Sequence, residues 1–101
     1  MKLDDLKGKR YILIDVVYNN KYITICYDRG SSILELYESD VIYNLGKKIK
    51  WCKIEENDVL MIFKKYKLKE SYNYLGSSCI VYRCDDDKLY IDISEVLDER
   101  E

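Results

Sequence analysis

Histidine and proline are absent from the 101 residues, and so are alanine and glutamine. Without histidine the chain lacks the commonest general base, the commonest metal ligand and the side chain that titrates nearest neutral pH. Without proline, nothing in the sequence blocks a strand edge from pairing. The four glycines do not cluster, so no glycine-rich phosphate loop is present. The four cysteines (Cys26, Cys52, Cys79 and Cys84) form no CxxC pair, and no histidine can complete a mixed zinc site. Long apolar runs are missing too. Residues 11–18 are interrupted by Asp15, and residues 59–63 number only five, whereas a membrane span needs about 20. Residues 1–5 hold no apolar stretch of the secretory kind. The expectation is a cytoplasmic protein of a bacterial or other host cell, with no membrane association and reduced cysteines buried as small apolar residues. Cofactor, metal and catalytic residues are expected to be none, because no spacing motif selects an acid, base or nucleophile.

What is present is a chain in which 48% of residues are hydrophobic and 36% charged, the composition of one folded unit over residues 1–101. Tyrosine occurs 11 times. Codon bias of an AT-rich genome favours Ile, Lys and Tyr over Ala and Pro, so the tyrosines alone argue only weakly for an interface. Net charge is −2 but uneven: residues 41–70 carry net +4 and residues 84–101 net −6.

Aligned on Gly8, Gly46 and Gly76, the chain repeats itself. Each glycine is followed by a β-branched or aromatic run, a polar turn and a second such run. The runs are 11–18 and 21–27, 49–54 and 59–63, and 79–84 and 89–93. Closing the first pair on Asn19-Asn20 sets Val16 opposite Ile23, Ile14 opposite Ile25 and Ile12 opposite Tyr27, all on one face. Closing the third on residues 85–88 sets Cys84, Tyr82 and Ile80 opposite Leu89, Ile91 and Ile93, with Arg83 opposite Tyr90 and Val81 opposite Asp92 on a mixed face. The middle pair closes less cleanly. A helix from about residue 58 with Val59, Ile62, Phe63 and Tyr66 on one stripe is its rival, and the repeat favours the strand. Residues 33–37 read as a further strand; 40–45 and 95–99 read as short helical turns, the latter capped by Ser94. The fold class expected is mainly β: a small antiparallel meander or an OB/SH3-like barrel built from three hairpins, with one or two short helices.

Residues 46–62, and 76–93 with their acidic turn, each resemble the last two strands of an S1-type OB barrel over fewer than 25 residues. The resemblance implies a small OB- or SH3-like barrel.

Two functional expectations follow. The first is a non-catalytic protein-binding module, such as a phage- or mobile-element-encoded inhibitor that occludes a surface of a host defence protein. Its contacts would be Tyr22, Arg83, Tyr90 and Asp92, the polar and aromatic positions of the mixed sheet faces. The partner would be a host protein, including one that binds nucleic acid, with the acidic C-terminal stretch imitating a phosphate backbone. The second is single-stranded nucleic-acid binding by Lys50, Trp51, Lys53, Lys64, Lys65 and Lys67, lysines for phosphates and the indole for base stacking. A homo-oligomer formed by sheet-edge pairing is a third arrangement the sequence permits. Residues 85–87 place three carboxylates in a row, but consecutive residues rarely converge on one cation.

Overall fold

Asn19 and Asn20 both take positive φ, at 49° and 62°. That is the backbone of a type I′ turn, and asparagine tolerates it better than most L-residues. The turn joins β1 (Tyr11–Tyr18) to β2 (Lys21–Asp28). The computed structural model describes residues 1–42, 44–71 and 76–100. It pairs the two strands in the register read from the sequence, with Val16, Ile14 and Ile12 opposite Ile23, Ile25 and Tyr27. An antiparallel meander continues through β3 (Ile33–Ser39) and β4 (Lys47–Lys53). The chain then crosses through α1 (Glu56–Phe63) to β5 (Leu68–Ser71), returns in β6 (Cys79–Cys84) and ends in α2 (Lys88–Glu99). β6 lies parallel to β1, with β5 antiparallel outside it, giving one six-stranded sheet in the order β4-β3-β2-β1-β6-β5.

The structure is therefore mainly β with two helices, and its first four strands are the expected meander. Among the described residues the sheet does not close into a barrel: β4 and β5 are its two edges. Two of the three expected hairpins are also corrected. Residues 59–63 lie in α1 and residues 89–93 in α2, so each glycine-led unit begins with a strand but only the first continues as one. The S1-like reading of 46–62 and 76–93 fails for the same reason. The physical cause is burial on a helical stripe. Val59, Leu60 and Phe63 are buried on α1, and Leu89, Ile93 and Leu97 on α2, while Met61 and Ile91 face solvent. The residues 95–99 expected as a separate turn are part of α2. The described residues of 40–45 form no helix. Ser39 closes a local turn there, its hydroxyl donating to the Val41 carbonyl at 2.9 Å and accepting from the Val41 amide at 3.0 Å. Tyr43 lies outside the described residues.

Both helices pack on the same face of the sheet. Ile12, Ile14, Val16, Ile23, Ile25, Tyr27, Leu34, Leu36, Ile80 and Tyr82 meet the buried stripes of α1 and α2, with Leu6 of the 3-10 turn Leu3–Leu6 beside them. Each such side chain removed from water contributes about 1.5–3 kcal/mol. The Tyr27 hydroxyl donates to the Ile54 carbonyl at 2.8 Å, so this aromatic is polar-satisfied at its tip. Arg29 ties three segments together: its guanidinium donates to the carbonyls of Leu6 and Lys9, at 2.6 and 2.8 Å, and pairs with Glu56 of α1. Gly46 has φ +72°, and a Cβ there would collide with the Glu38 carbonyl; only glycine lets the chain turn back beside β3 to start β4. No helix among the described residues is long and apolar enough to cross a membrane.

Candidate functional site

The second face of the sheet carries no helix among the described residues. Alternation along the strands places Tyr11, Leu13, Asp15 and Val17 of β1 on it, beside Tyr22, Thr24 and Cys26 of β2. Glu35 and Tyr37 follow on β3, Lys48 and Trp51 on β4, and Cys79, Val81 and Arg83 on β6. At its centre Leu13, Cys26 and Val81 form a small buried cluster under Tyr11, Tyr37 and Cys79. Burial, reinforced by Glu35 and Asp28, pushes the Cys26 thiol up to about 12, so it is an inert thiol. Burial likewise raises the Cys52 and Cys84 thiols. All four cysteines are free.

At one end of this face lies a cavity of about 260 Å³. Asp15, Val17, Tyr22, Thr24 and Arg83 line it from the sheet, Ser71 and Asp85 from beside β6, and Ile42 and Asn44 from the β3–β4 connection. Its rim is apolar and wet: Val17 is 58% and Ile42 51% exposed, and Val41 and Leu45 next to Ile42 and Asn44 in the chain are exposed as well. Asp15 sits half-buried in the cavity wall. The Thr24 hydroxyl donates to its carboxylate at 3.3 Å. Burial raises the Asp15 carboxyl above its ordinary value of 3.8, and the Thr24 hydrogen bond offsets part of that.

Linkage gives this a sign. A raised carboxyl pKa means the fold holds the proton more tightly than the unfolded chain does, so ionising Asp15 costs stability as pH rises past 3.8. Asp15→Asn keeps the shape and the acceptor for Thr24 without the charge. It is expected to raise Tm at pH 7 and leave it unchanged at pH 3, as measured by circular dichroism melts at the two pH values.

The sequence-derived contact residues divide. Tyr22 and Arg83 meet at this cavity. Tyr90 and Asp92 do not join them. Both lie on α2, Tyr90 with its ring 4.6 Å from that of Tyr18 and Asp92 accepting from the Tyr66 hydroxyl. Expected as strand positions, they are carried away because α2 packs on the opposite face. The lysines divide as well. Lys50, Trp51 and Lys53 line a groove at the β4 edge with Arg100, and Lys65 and Lys67 line another with Tyr66. Lys67 directly precedes β5 at the far edge, and Lys64 caps α1. Five strand spacings, roughly 24 Å, separate the two edges. The basic middle and the acidic end also meet internally: Lys50 pairs with Asp98, and Lys69 with Asp85 at 2.7 Å. The charge asymmetry of the sequence is thus in part the pairing of β4 and β5 with the segments beside them.

Edge pairing meets three obstacles. β4 carries Lys47, Lys48, Lys50 and Lys53, its register with β3 shifts between Leu36 and Tyr37, and β5 has only four residues. Lysine-rich, irregular or very short edges disfavour strand addition. Among the described residues no three histidine, cysteine, aspartate or glutamate side chains converge as a metal site would require.

Asp15, Val17 and Ile42 were not singled out by sequence reasoning. The signal for Asp15 was a carboxylate interrupting an otherwise apolar strand; Ile42 had none, because only the fold brings it over β1 and β2. No protein-family model, curated protein or solved structure matches the chain.

Proposed function

We propose that the protein is a non-catalytic binding module that docks a protein partner on the helix-free face of its sheet. One observation carries this. The described elements seal one face under two helices and leave the other bare, with Val17, Ile42 and Trp51 more than half exposed on or beside it. Exposed apolar side chains gathered around a cavity and rimmed by charge are the make-up of an interaction surface.

Size supports the reading. Six strands of about seven residues cover on the order of 600 Å², while a standard interface takes roughly 800 Å² from each partner. The exposed apolar residues of the β3–β4 connection, Val41, Ile42 and Leu45, supply the remainder. An inhibitor that occludes a surface of a host protein, from a phage or mobile element, is the narrower form of the proposal and would use the same face. Single-stranded nucleic-acid binding ranks behind it, because its lysines are split between two edges and Lys50 is already paired with Asp98.

The test is affinity capture from the native host with four proteins: wild type, Val17→Asp and Trp51→Asp on the bare face, and Met61→Asp on the helical face. Support is a partner captured by wild type and by Met61→Asp and lost by the two bare-face variants. A partner retained equally by all four overturns the assignment.

A further inference from the structure

We infer that the cavity receives one arginine side chain of the partner protein, its guanidinium against Asp15 and its methylene stem between Val17, Tyr22 and Ile42. This rests on the reading that the helix-free face docks a protein, and it specifies what that partner must bring.

The first ground is an unbalanced charge. On this face Asp28 pairs with Arg10 at 2.9 Å, and Glu35 with Lys48 at 3.1 Å. Beside the face, Asp85 holds Lys69 at 2.7 Å and Arg83 at 3.3 Å. Asp15 alone of these acids has no cation within salt-bridge distance among the described residues; its described partner is the Thr24 hydroxyl. Its neighbour across the parallel ladder is Arg83, yet that guanidinium turns to Asp85. A half-buried carboxylate kept without a countercharge is costly to the free protein, and a cation arriving from outside recovers that cost on binding.

The second ground is shape. The cavity's 260 Å³ falls below the roughly 300–1,000 Å³ of pockets that enclose a drug-sized ligand, so it suits a single inserted side chain. Its walls are apolar where a methylene stem would lie. Acceptors line the cavity: the second oxygen of Asp15 and the Thr24 and Ser71 hydroxyls, with Asp85 beside them already engaged by Lys69 and Arg83. A planar guanidinium with five donors uses several acceptors at once and stacks on a tyrosine ring, which an ammonium does less well.

The experiment titrates the 15N-labelled 101-residue protein with acetyl-Gly-Arg-Gly-amide, followed by amide chemical shifts. The control peptide carries citrulline, which keeps the shape and loses the charge. A lone side chain should bind with Kd of order 1–10 mM, moving the amides of Asp15, Val17, Tyr22 and Thr24. Citrulline, or Asp15→Asn protein, should weaken binding at least about tenfold. Equal binding of the two peptides, indifference to Asp15→Asn, shifts confined to other residues, or no shift at ~20 mM peptide overturns the inference. Its failure is distinguishable from that of the docking reading. If the arginine peptide fails while Val17→Asp still abolishes partner capture, the face stands and the arginine assignment falls. If Val17→Asp captures as wild type does, the docking reading itself falls.

Discussion

Replacing Phe63 by alanine should destabilise the fold by about 3–5 kcal/mol, the cost of emptying a fully buried aromatic site. Phe63 is wholly inaccessible and belongs to the main core. Against a total stability of about 5–15 kcal/mol, that loss removes a fifth or more of what holds the chain together. At about 4–8 °C per kcal/mol for a domain of this size, Tm should fall by some 12 °C at the least. The companion substitutions make this a test of structure as well as of packing. Leu60→Ala should cost about 2–4 kcal/mol, because Leu60 is buried on α1. Met61→Ala should fall within about 0.5 kcal/mol of wild type, because Met61 is 67% exposed. A strand over 59–63 reverses the order, since it places Met61 with Val59 and Phe63 on one face and Leu60 on the other. Denaturant unfolding of the three variants decides between them.

The second large effect is on binding. Val17, Tyr22 and Ile42 surround the cavity, and Trp51 projects from the same face at the β4 edge. Interfaces concentrate their energy in a few anchored aromatic and apolar side chains, each worth about 2 kcal/mol or more, or roughly thirtyfold in affinity. Tyr22→Ala and Val17→Asp should each weaken the partner complex by that amount. Val17→Asp should leave Tm within about 2 °C of wild type, because it changes an exposed position. Met61→Asp, on the helical face, should leave affinity unchanged. Calorimetric titration of the captured partner measures all three.

Much of the sheet was legible in the sequence. The Asn19-Asn20 turn, the β1–β2 register, the strand at β3 and the inward set of β6 follow from turn chemistry and period-two alternation. The two missed helices show where that reasoning loses its grip. Residues i and i+4 share a face in a strand and in a helix alike, so Val59 with Phe63, and Leu89 with Ile93, satisfy both readings. The i+2 residues, Met61 and Ile91, separate them, and both face solvent. Following α2 as far as Leu97, four residues beyond Ile93, would have revealed the helical stripe. The parallel pairing of β6 with β1 leaves no local trace, since no turn joins those strands. The cavity inherits that illegibility: its walls come from β1, β2, β6 and the β3–β4 connection, which only the topology assembles. Alternation placed Tyr22 and Arg83 together on one face, where the structure also has them, whereas Tyr90 and Asp92 left it with the hairpin that was to carry them.

Hydroxyl-radical footprinting of the protein alone and in complex with its captured partner tests the central claim most directly, because it reports which face is covered without any substitution. Protection of Val17, Tyr22, Ile42 and Trp51, with Leu3, Met61 and Ile91 oxidised as in the free protein, is the result predicted. Protection of Met61 and Ile91 with Tyr22 and Trp51 unchanged would place the partner on the helices and contradict the account.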